Sequence, residues 1–228
     1  MARILLIETS TSLLSAAVSE DGLVTGQIES DEPRMHAALT AVFVDRLLKD
    51  KGLKMKDFDA VAVSKGPGSY TGLRVGVSTA KGLCFGAGIP LIGIGTLDIL
   101  VSQAALQGQH PGDFRYIVPM IDARRLEVYS AVFSPEGKQL TETASVIITP
   151  DSYADILSEG PVLVIGDGAE KCREMLPGGV FVPCCPRAAA MAPLAEAAFH
   201  EKRFEDLAYF EPFYLKDFVA TVSRKKLF

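Results

Sequence analysis

Short apolar runs and helical apolar patterns follow one another along the first half of the chain. The runs have strand length, and the predicted strands are residues 4–8, 13–19, 23–29, 59–64 and 90–95. Apolar residues at helical spacing predict three helices, at residues 35–51, 72–85 and 96–106. Strands separated by helices indicate an α/β fold whose sheet is partly parallel.

The two halves of the chain carry a weak internal repeat. Glu8 ends an apolar strand, and a second strand then reaches the turn Asp21-Gly22. Asp122, 114 residues after Glu8, ends another apolar run, and the turn Glu136-Gly137 follows it. This spacing indicates a duplicated three-stranded unit and two similar lobes, although two unrelated hairpins would also produce it. The predicted lobes are residues 1–103 and 104–228, with the last residues returning toward the first lobe.

A glycine-rich loop at residues 65–71 joins a predicted strand to a predicted helix. Backbone N–H groups at such a junction, together with the helix dipole, can receive an anion. The loop is not a Walker A motif, because no Lys-Ser or Lys-Thr follows its final glycine, and its glycine spacing differs from the dinucleotide fingerprint. A tight structural turn and a phosphate site both remain open.

The helix after this loop carries small residues on one side. Gly72, Gly76 and Ala80 lie at helical spacing and form a ridge that lets a neighbouring helix approach closely. An internal glycine costs about 1 kcal/mol relative to alanine, so the packing gained must offset that cost. The neighbour belongs either to this chain or to a partner.

The predicted helix at 35–51 is apolar over an unusually wide arc. One stripe is Leu39, Phe43 and Leu47, and a second lies beside it: Ala37, Ala41, Val44 and Leu48. A helix on a single core needs an arc of roughly 100°, and these stripes cover nearly twice that. Two interpretations follow, namely full burial in a larger domain or a partner surface on the side facing away from the sheet.

Composition narrows the classes of protein. Of 228 residues, 23 are Lys or Arg and 28 are Asp or Glu, so the formal net charge is −5. A strongly basic nucleic-acid-binding domain has the opposite excess, and a hydrophobic content of 48% excludes a disordered chain. The start of the chain has no secretory pattern, and no run reaches about 18 apolar residues. We therefore expect a cytoplasmic protein without a membrane span.

Few side chains suit a metal site, because the chain has only three histidines and four cysteines. His36 has Thr40, not a second histidine, one helical turn later, so two imidazoles cannot face one ion there. Cys184-Cys185 is not a CxxC pair, and we expect free thiols in a reducing compartment.

Three segments resemble the bacterial TsaB (YeaZ) family. They are Ile4-Leu5-Leu6-Ile7-Glu8-Thr9-Ser10-Thr11, Gly66-Pro67-Gly68-Ser69-Tyr70-Thr71-Gly72-Leu73-Arg74, and the closing motif Glu211-Pro212-Phe213-Tyr214-Leu215-Lys216. The resemblance is dense over residues 4–100 and sparse from there to the closing motif. Lys216 stands where that family commonly has arginine.

This resemblance implies an actin-like, ribonuclease H-like fold of two lobes. It also implies a role in making threonylcarbamoyladenosine beside the anticodon of tRNAs that read codons beginning with A. The family's protein is a non-catalytic relative of TsaD, pairs with it through the first two long helices, and assembles with the ATPase TsaE. It would meet tRNA only through the complex, and could form a homodimer when isolated. On this basis the partner-binding residues are His36, Leu39, Phe43, Leu47, Gly72, Arg74, Gly76 and Ala80.

A second class of function is a small-molecule kinase or ATPase of the same fold, with Glu8 and Asp122 as its acidic pair. Gly166 and Gly168 follow an apolar strand and look like the adenosine-contacting turn of nucleotide-binding relatives, which we interpret as a vestige. We expect no tightly bound cofactor, with ATP or ADP only at an interface shared with partners. A metalloprotease role, sometimes attached to the wider family, is disfavoured by the His36/Thr40 spacing.

Overall fold

The computed structural model describes residues 2–216, and within them ten strands form two five-stranded sheets. The first sheet contains β1 (Arg3–Glu8), β2 (Leu14–Glu20), β3 (Leu23–Ser30), β4 (Ala60–Gly66) and β5 (Leu91–Gly95). The second contains β6 (Tyr116–Asp122), β7 (Glu127–Ser130), β8 (Ala144–Ile147), β9 (Val162–Ile165) and β10 (Gly179–Val182). The α-helices are α1 (His36–Lys51), α2 (Tyr70–Ala87), α3 (Thr96–Leu106), α4 (Ala154–Glu159) and α5 (Ala192–His200).

Both sheets have the same strand order. The first runs β3-β2-β1-β4-β5 and the second runs β8-β7-β6-β9-β10. In each, an antiparallel three-stranded meander is followed by two parallel strands. The predicted duplication is therefore confirmed at the level of topology. The second copy is shorter, because β7 ends at Ser130 and only an isolated bridge at Phe133 continues the pairing toward Gly137.

Strand β1 is the centre of the first sheet and is covered on both faces. Leu5 and Ile7 pack under α1 and α2, whereas Ile4 and Leu6 pack against a cluster that includes α5. A central strand buried on both faces is a continuous apolar run, which is why residues 4–7 show no alternation. Helix α5 returns to this first sheet late in the chain.

Helix α1 uses its first apolar stripe for the core of its own lobe. Phe43 and Leu47 are buried against the first sheet, and Val44 from the second stripe is buried with them. Ala37 and Ala41 face solvent. The wide apolar arc thus combines a buried side with an exposed alanine side, so full burial of the arc is wrong and a partner surface on the exposed side stays a prediction.

Helix α2 lies unusually close to the loop that follows β1. A Cβ built on Gly72 would lie 2.0 Å from the carbonyl oxygen of Thr9, and one on Gly76 would lie 2.2 Å from its Oγ1. Ala80 is buried farther along the same ridge, in the core cluster under α1 and α2. The glycines of this ridge therefore pack against this chain's own β1–β2 loop. The expectation of a neighbouring helix at Gly72 and Gly76 is wrong, because both glycines lie against Thr9, the residue that follows β1.

Local capping decides where α2 begins and ends. The Ser69 hydroxyl accepts a hydrogen bond from the Gly72 N–H at 3.3 Å, so the helix starts at Tyr70, two residues earlier than predicted. Gly88, with φ of 68°, ends it in the left-handed conformation that glycine adopts without strain.

Alanine substitutions on opposite sides of α2 should have opposite effects on stability. Gly72→Ala forces a methyl group onto a backbone carbonyl, and we expect a loss of about 2 kcal/mol despite better helix propensity. At Gly82 a Cβ meets nothing within 4 Å, so Gly82→Ala should stabilise by up to about 1 kcal/mol. Urea denaturation of both variants measures this contrast. Equal stability of Gly72→Ala and the unsubstituted chain would contradict it.

Candidate functional site

The carboxyl ends of the parallel strands from the two sheets meet at a junction between the lobes. β1 ends at Glu8, and β9 ends immediately before Gly166 and Asp167. Burial raises the pKa of Glu8, and the negative charge of Asp167, which follows β9, raises it further. Nearby, Ser12 Oγ lies 3.6 Å from Cys185 Sγ. In α/β proteins this edge of the sheet is the usual place for a ligand site.

Glu8 is a fully buried carboxyl at this junction. Its Oε1 accepts a hydrogen bond from the Ser10 N–H at 2.5 Å, and its Oε2 has no hydrogen-bond partner among residues 2–216. Burial raises the pKa of Glu8 to about 7, against the opposing effect of hydrogen bonds from Ser10 and Ser64. Near neutral pH this group is therefore divided between its acid and carboxylate forms.

Asp122, the predicted partner of Glu8 in an acidic pair, lies in a different environment from the fully buried Glu8. Asp122 is 46% exposed and forms an ion pair with Lys171. Its N–H donates to Asp167 Oδ1 at 3.0 Å, so Asp122 and Asp167 are neighbours at the ends of β6 and β9. Burial raises the pKa of Asp167 to about 6. The sequence analysis did not single out Asp167, because the burial of one residue in a turn leaves no signal in the sequence pattern.

Gly166 and Gly168 have a structural reason to be glycine. A Cβ on Gly166, whose φ is 131°, would lie 2.1 Å from the Met120 carbonyl oxygen. The Gly168 N–H donates to that same oxygen at 3.0 Å. The turn thus needs both glycines to approach β6, and their assignment as a nucleotide contact stays a prediction.

Three hydroxyl groups beside Glu8 are buried without a hydrogen-bond partner in the described part of the chain: those of Thr9, Ser10 and Thr11. They belong to the first family-like motif, but the motif did not indicate that they would be enclosed. Among residues 2–216 no group of three or more His, Cys, Asp or Glu side chains is placed to hold a metal ion. His36 begins α1, and its carbonyl accepts a hydrogen bond from the Thr40 hydroxyl at 2.6 Å.

A second candidate site is the solvent side of α1 and α2. Both helices pack on one face of the first sheet and contact each other, so their solvent sides lie next to one another. We define the outer helix face by its exposed residues on α1 (Ala37, Ala38, Ala41 and Val42) and on α2 (Arg74, Ser78, Gly82, Phe85 and Gly86). Phe85 is 82% exposed, which is unusual for a large aromatic side chain.

The predicted partner residues divide between this face and the core. Arg74 is exposed, and His36 and Leu39 are partly exposed. The others are buried within the chain: Phe43, Leu47, Gly72, Gly76 and Ala80. In this structure those five are covered by the chain's own sheet and β1–β2 loop, so they are not available for direct contact with another protein. The helices were identified from the pattern, but the pattern did not say which side of each is covered.

Two five-stranded sheets of one strand order, with helices between their strands, define a duplicated two-lobed α/β protein. The model of the TsaD family, described as tRNA N6-adenosine threonylcarbamoyltransferase, matches residues 29–223. The chain is 31% identical to the tRNA threonylcarbamoyladenosine biosynthesis protein TsaB of Escherichia coli K12, over 96% of each chain. It is 30% identical to TsaB of Bacillus subtilis 168 over 76% of this chain and 74% of that protein.

A solved structure of YeaZ from Pseudomonas aeruginosa has a TM-score of 0.81 and 26% identity, covering 94% of this chain and all of that one. The chain belongs to the TsaB (YeaZ) family, as the sequence motifs predicted. Among the described residues, no helix has the length and apolar content to cross a bilayer. The basic segment Ser223-Arg224-Lys225-Lys226 lies outside the described residues.

The buried carboxyl of Glu8 should make stability fall as the pH rises. The folded state holds a proton on Glu8 up to a pKa of about 7, whereas the unfolded chain loses it near 4.5. Folding is therefore favoured by this group at low pH, and about 3 kcal/mol of that advantage disappears between pH 4.5 and 8. Glu8→Gln, which stays uncharged, should lose this slope in the free energy of unfolding.

Glu136→Gln is a control of opposite sign. A hydrogen bond from the Ser134 side chain lowers the pKa of Glu136, so its contribution to stability is present at neutral pH and lost as the pH falls. Chemical denaturation at several pH values compares the three chains. Parallel pH curves for Glu8→Gln and the unsubstituted chain would rule out the buried-acid account.

Proposed function

We propose that this protein acts in tRNA threonylcarbamoyladenosine biosynthesis, in the cytoplasm, as a non-catalytic subunit that pairs with TsaD and assembles with the ATPase TsaE. The names of its relatives in Escherichia coli and Bacillus subtilis support the pathway. The observation that carries the partner role is the outer helix face, where apolar and small residues of two adjacent helices are open to solvent.

The exposed row on α2 has the composition of a helix-packing surface. Ser78, Gly82 and Gly86 lie one helical turn apart, and a Cβ at either glycine would meet nothing within 4 Å. Small residues let the backbone of a second helix come close, and Phe85 beside them offers an aromatic anchor. A contiguous exposed apolar surface usually marks an interface. This row replaces the ridge of Gly72, Gly76 and Ala80 as the proposed contact.

Two observations at the lobe junction support a non-catalytic role. Metal-bound phosphate chemistry needs ionised, accessible carboxylates. Glu8 is fully buried with its pKa raised to about 7, and the Asp122 carboxylate is already paired with Lys171. We therefore prefer the helper role to a kinase built on this pair, and assign any ATP or ADP to an interface shared with partners.

The charge of the chain fits an indirect relation to tRNA. With a net charge of −5, the protein lacks the excess of cations that phosphate contacts require. In the proposed complex a partner supplies the basic surface, and this subunit supplies the outer helix face.

Substitutions on the outer helix face should break the complex without unfolding the chain. Gly82→Arg places a charged side chain where a Cβ has free space, and Phe85→Asp removes the exposed aromatic. We expect each to weaken binding to co-expressed TsaD at least tenfold, a typical loss for an interface anchor. Binding is measured by titration, and threonylcarbamoyladenosine by mass spectrometry of tRNA digests.

The matched control is Ile147→Asp, which changes an apolar side chain that is 67% exposed on β8 of the second lobe. It should leave both binding and modification intact. Thermal melting of all three variants verifies that they fold. A complex of unchanged affinity with both Gly82→Arg and Phe85→Asp would refute the interface assignment, and lost TsaD binding with an unchanged level of threonylcarbamoyladenosine would refute the pathway role.

A further inference from the structure

The segment after α5 crosses the first lobe as an irregular strap, which we define as residues 203–216. It first runs along β5, the edge strand of the first sheet, where the Glu205 N–H donates to the Leu91 carbonyl at 2.9 Å. An edge strand otherwise presents unpaired backbone groups. The beginning of the strap therefore covers the edge of the first sheet.

The middle of the strap is attached to α2. Lys81 Nζ donates to the carbonyl oxygens of Ala208 at 3.2 Å and Phe210 at 3.0 Å. The Phe210 ring lies on Gly93 of β5, where a Cβ would come within 3.0 Å of the ring. Movement of the strap is thus coupled to one side chain of α2 and to the backbone of β5.

The closing motif then packs on the glycine-rich loop. The Phe213 N–H donates to the Lys65 carbonyl at 2.7 Å, and a Cβ on Gly66 would lie 2.5 Å from the Phe213 carbonyl oxygen. The ring of Tyr214 contacts that of Tyr70, with centroids 4.8 Å apart, at the first residue of α2. The glycine-rich loop and the closing motif, which are about 140 residues apart along the chain, therefore form one contact surface.

The last side chain of the strap reaches the other lobe. Lys216 Nζ forms an ion pair with the Glu127 carboxylate at the start of β7, and it lies 5.9 Å from the centroid of the Tyr129 ring. The Ser145 hydroxyl donates to the other Glu127 oxygen at 2.5 Å, which holds that carboxylate in place. The strap is thus attached along the first sheet and ends on the second.

We propose that the strap is an interlobe latch, in which the Lys216–Glu127 pair holds the two sheets at one angle and transmits that angle to α2. Because the strap is bonded to Lys81 and packed on Tyr70, releasing Lys216 loosens the start of α2 as well as the lobe junction. An ion pair this exposed shifts a two-state equilibrium by no more than about fivefold. The latch therefore biases the lobes toward one arrangement and opens readily.

Charge reversal tests the latch in the isolated full-length chain, so the result does not depend on the proposed pairing with TsaD. The variants are Lys216→Glu, Glu127→Lys and the double exchange of both. Spin labels on Arg46→Cys and Ile147→Cys, with Cys184 and Cys185 changed to Ser, report the distance between the lobes. Both labelled positions are well exposed.

We expect each single reversal to broaden the distance distribution and to speed hydrogen exchange severalfold in the strap and the first turn of α2. The double exchange should restore both. Arg173→Glu, which breaks an ion pair with Glu170 inside the second lobe, is the control and should change neither. Unchanged distances in Lys216→Glu would overturn the proposal, and so would faster exchange confined to the strap.

Discussion

The close contact between α2 and the loop after β1 fixes the geometry of the first lobe. Gly72 and Gly76 bring the helix against Thr9 with no room for a Cβ. The Ser69 N–H donates to the Ser10 carbonyl at 2.6 Å, which locks the same loop to the start of the helix. These contacts hold the loop against α2, and the carboxyl of Glu8 next to the loop is excluded from water. The opposite side of α2 faces solvent.

The lobe junction contains carboxyl groups whose pKa values are raised by burial. Burial raises the pKa values of both Glu8 and Asp167, whereas Asp122 keeps its partner Lys171 at the partly exposed rim. A buried carboxyl is more stable in its neutral form, because a low-dielectric setting disfavours its charge. Burial of Glu8 and the proton on it are therefore linked, and a neutral carboxyl is a poor ligand for a metal ion.

The sequence predicted the elements and the duplication well, because apolar runs and helical spacing are local patterns. It did not predict which neighbour covers which side of a helix. Gly76 and Phe43 were identified as packing positions, yet both face this chain's own loop and sheet, and spacing along one helix contains no information about its neighbour. The path of the strap could not be predicted from the sequence either, because an irregular segment such as that around Phe213 has no hydrophobic periodicity.

The exposed glycines of α2 affect how readily proteases degrade the chain when no partner is bound. A Cβ at Gly82 or Gly86 would meet nothing within 4 Å, and each glycine weakens the helix by about 1 kcal/mol relative to alanine. The C-terminal half of α2 therefore opens more easily than it would with alanine at these positions, and brief opening exposes its backbone to proteases. A helix packed against it would suppress that opening. The cellular amount of this subunit would then follow the amount of its partner, through degradation of whatever remains unpaired.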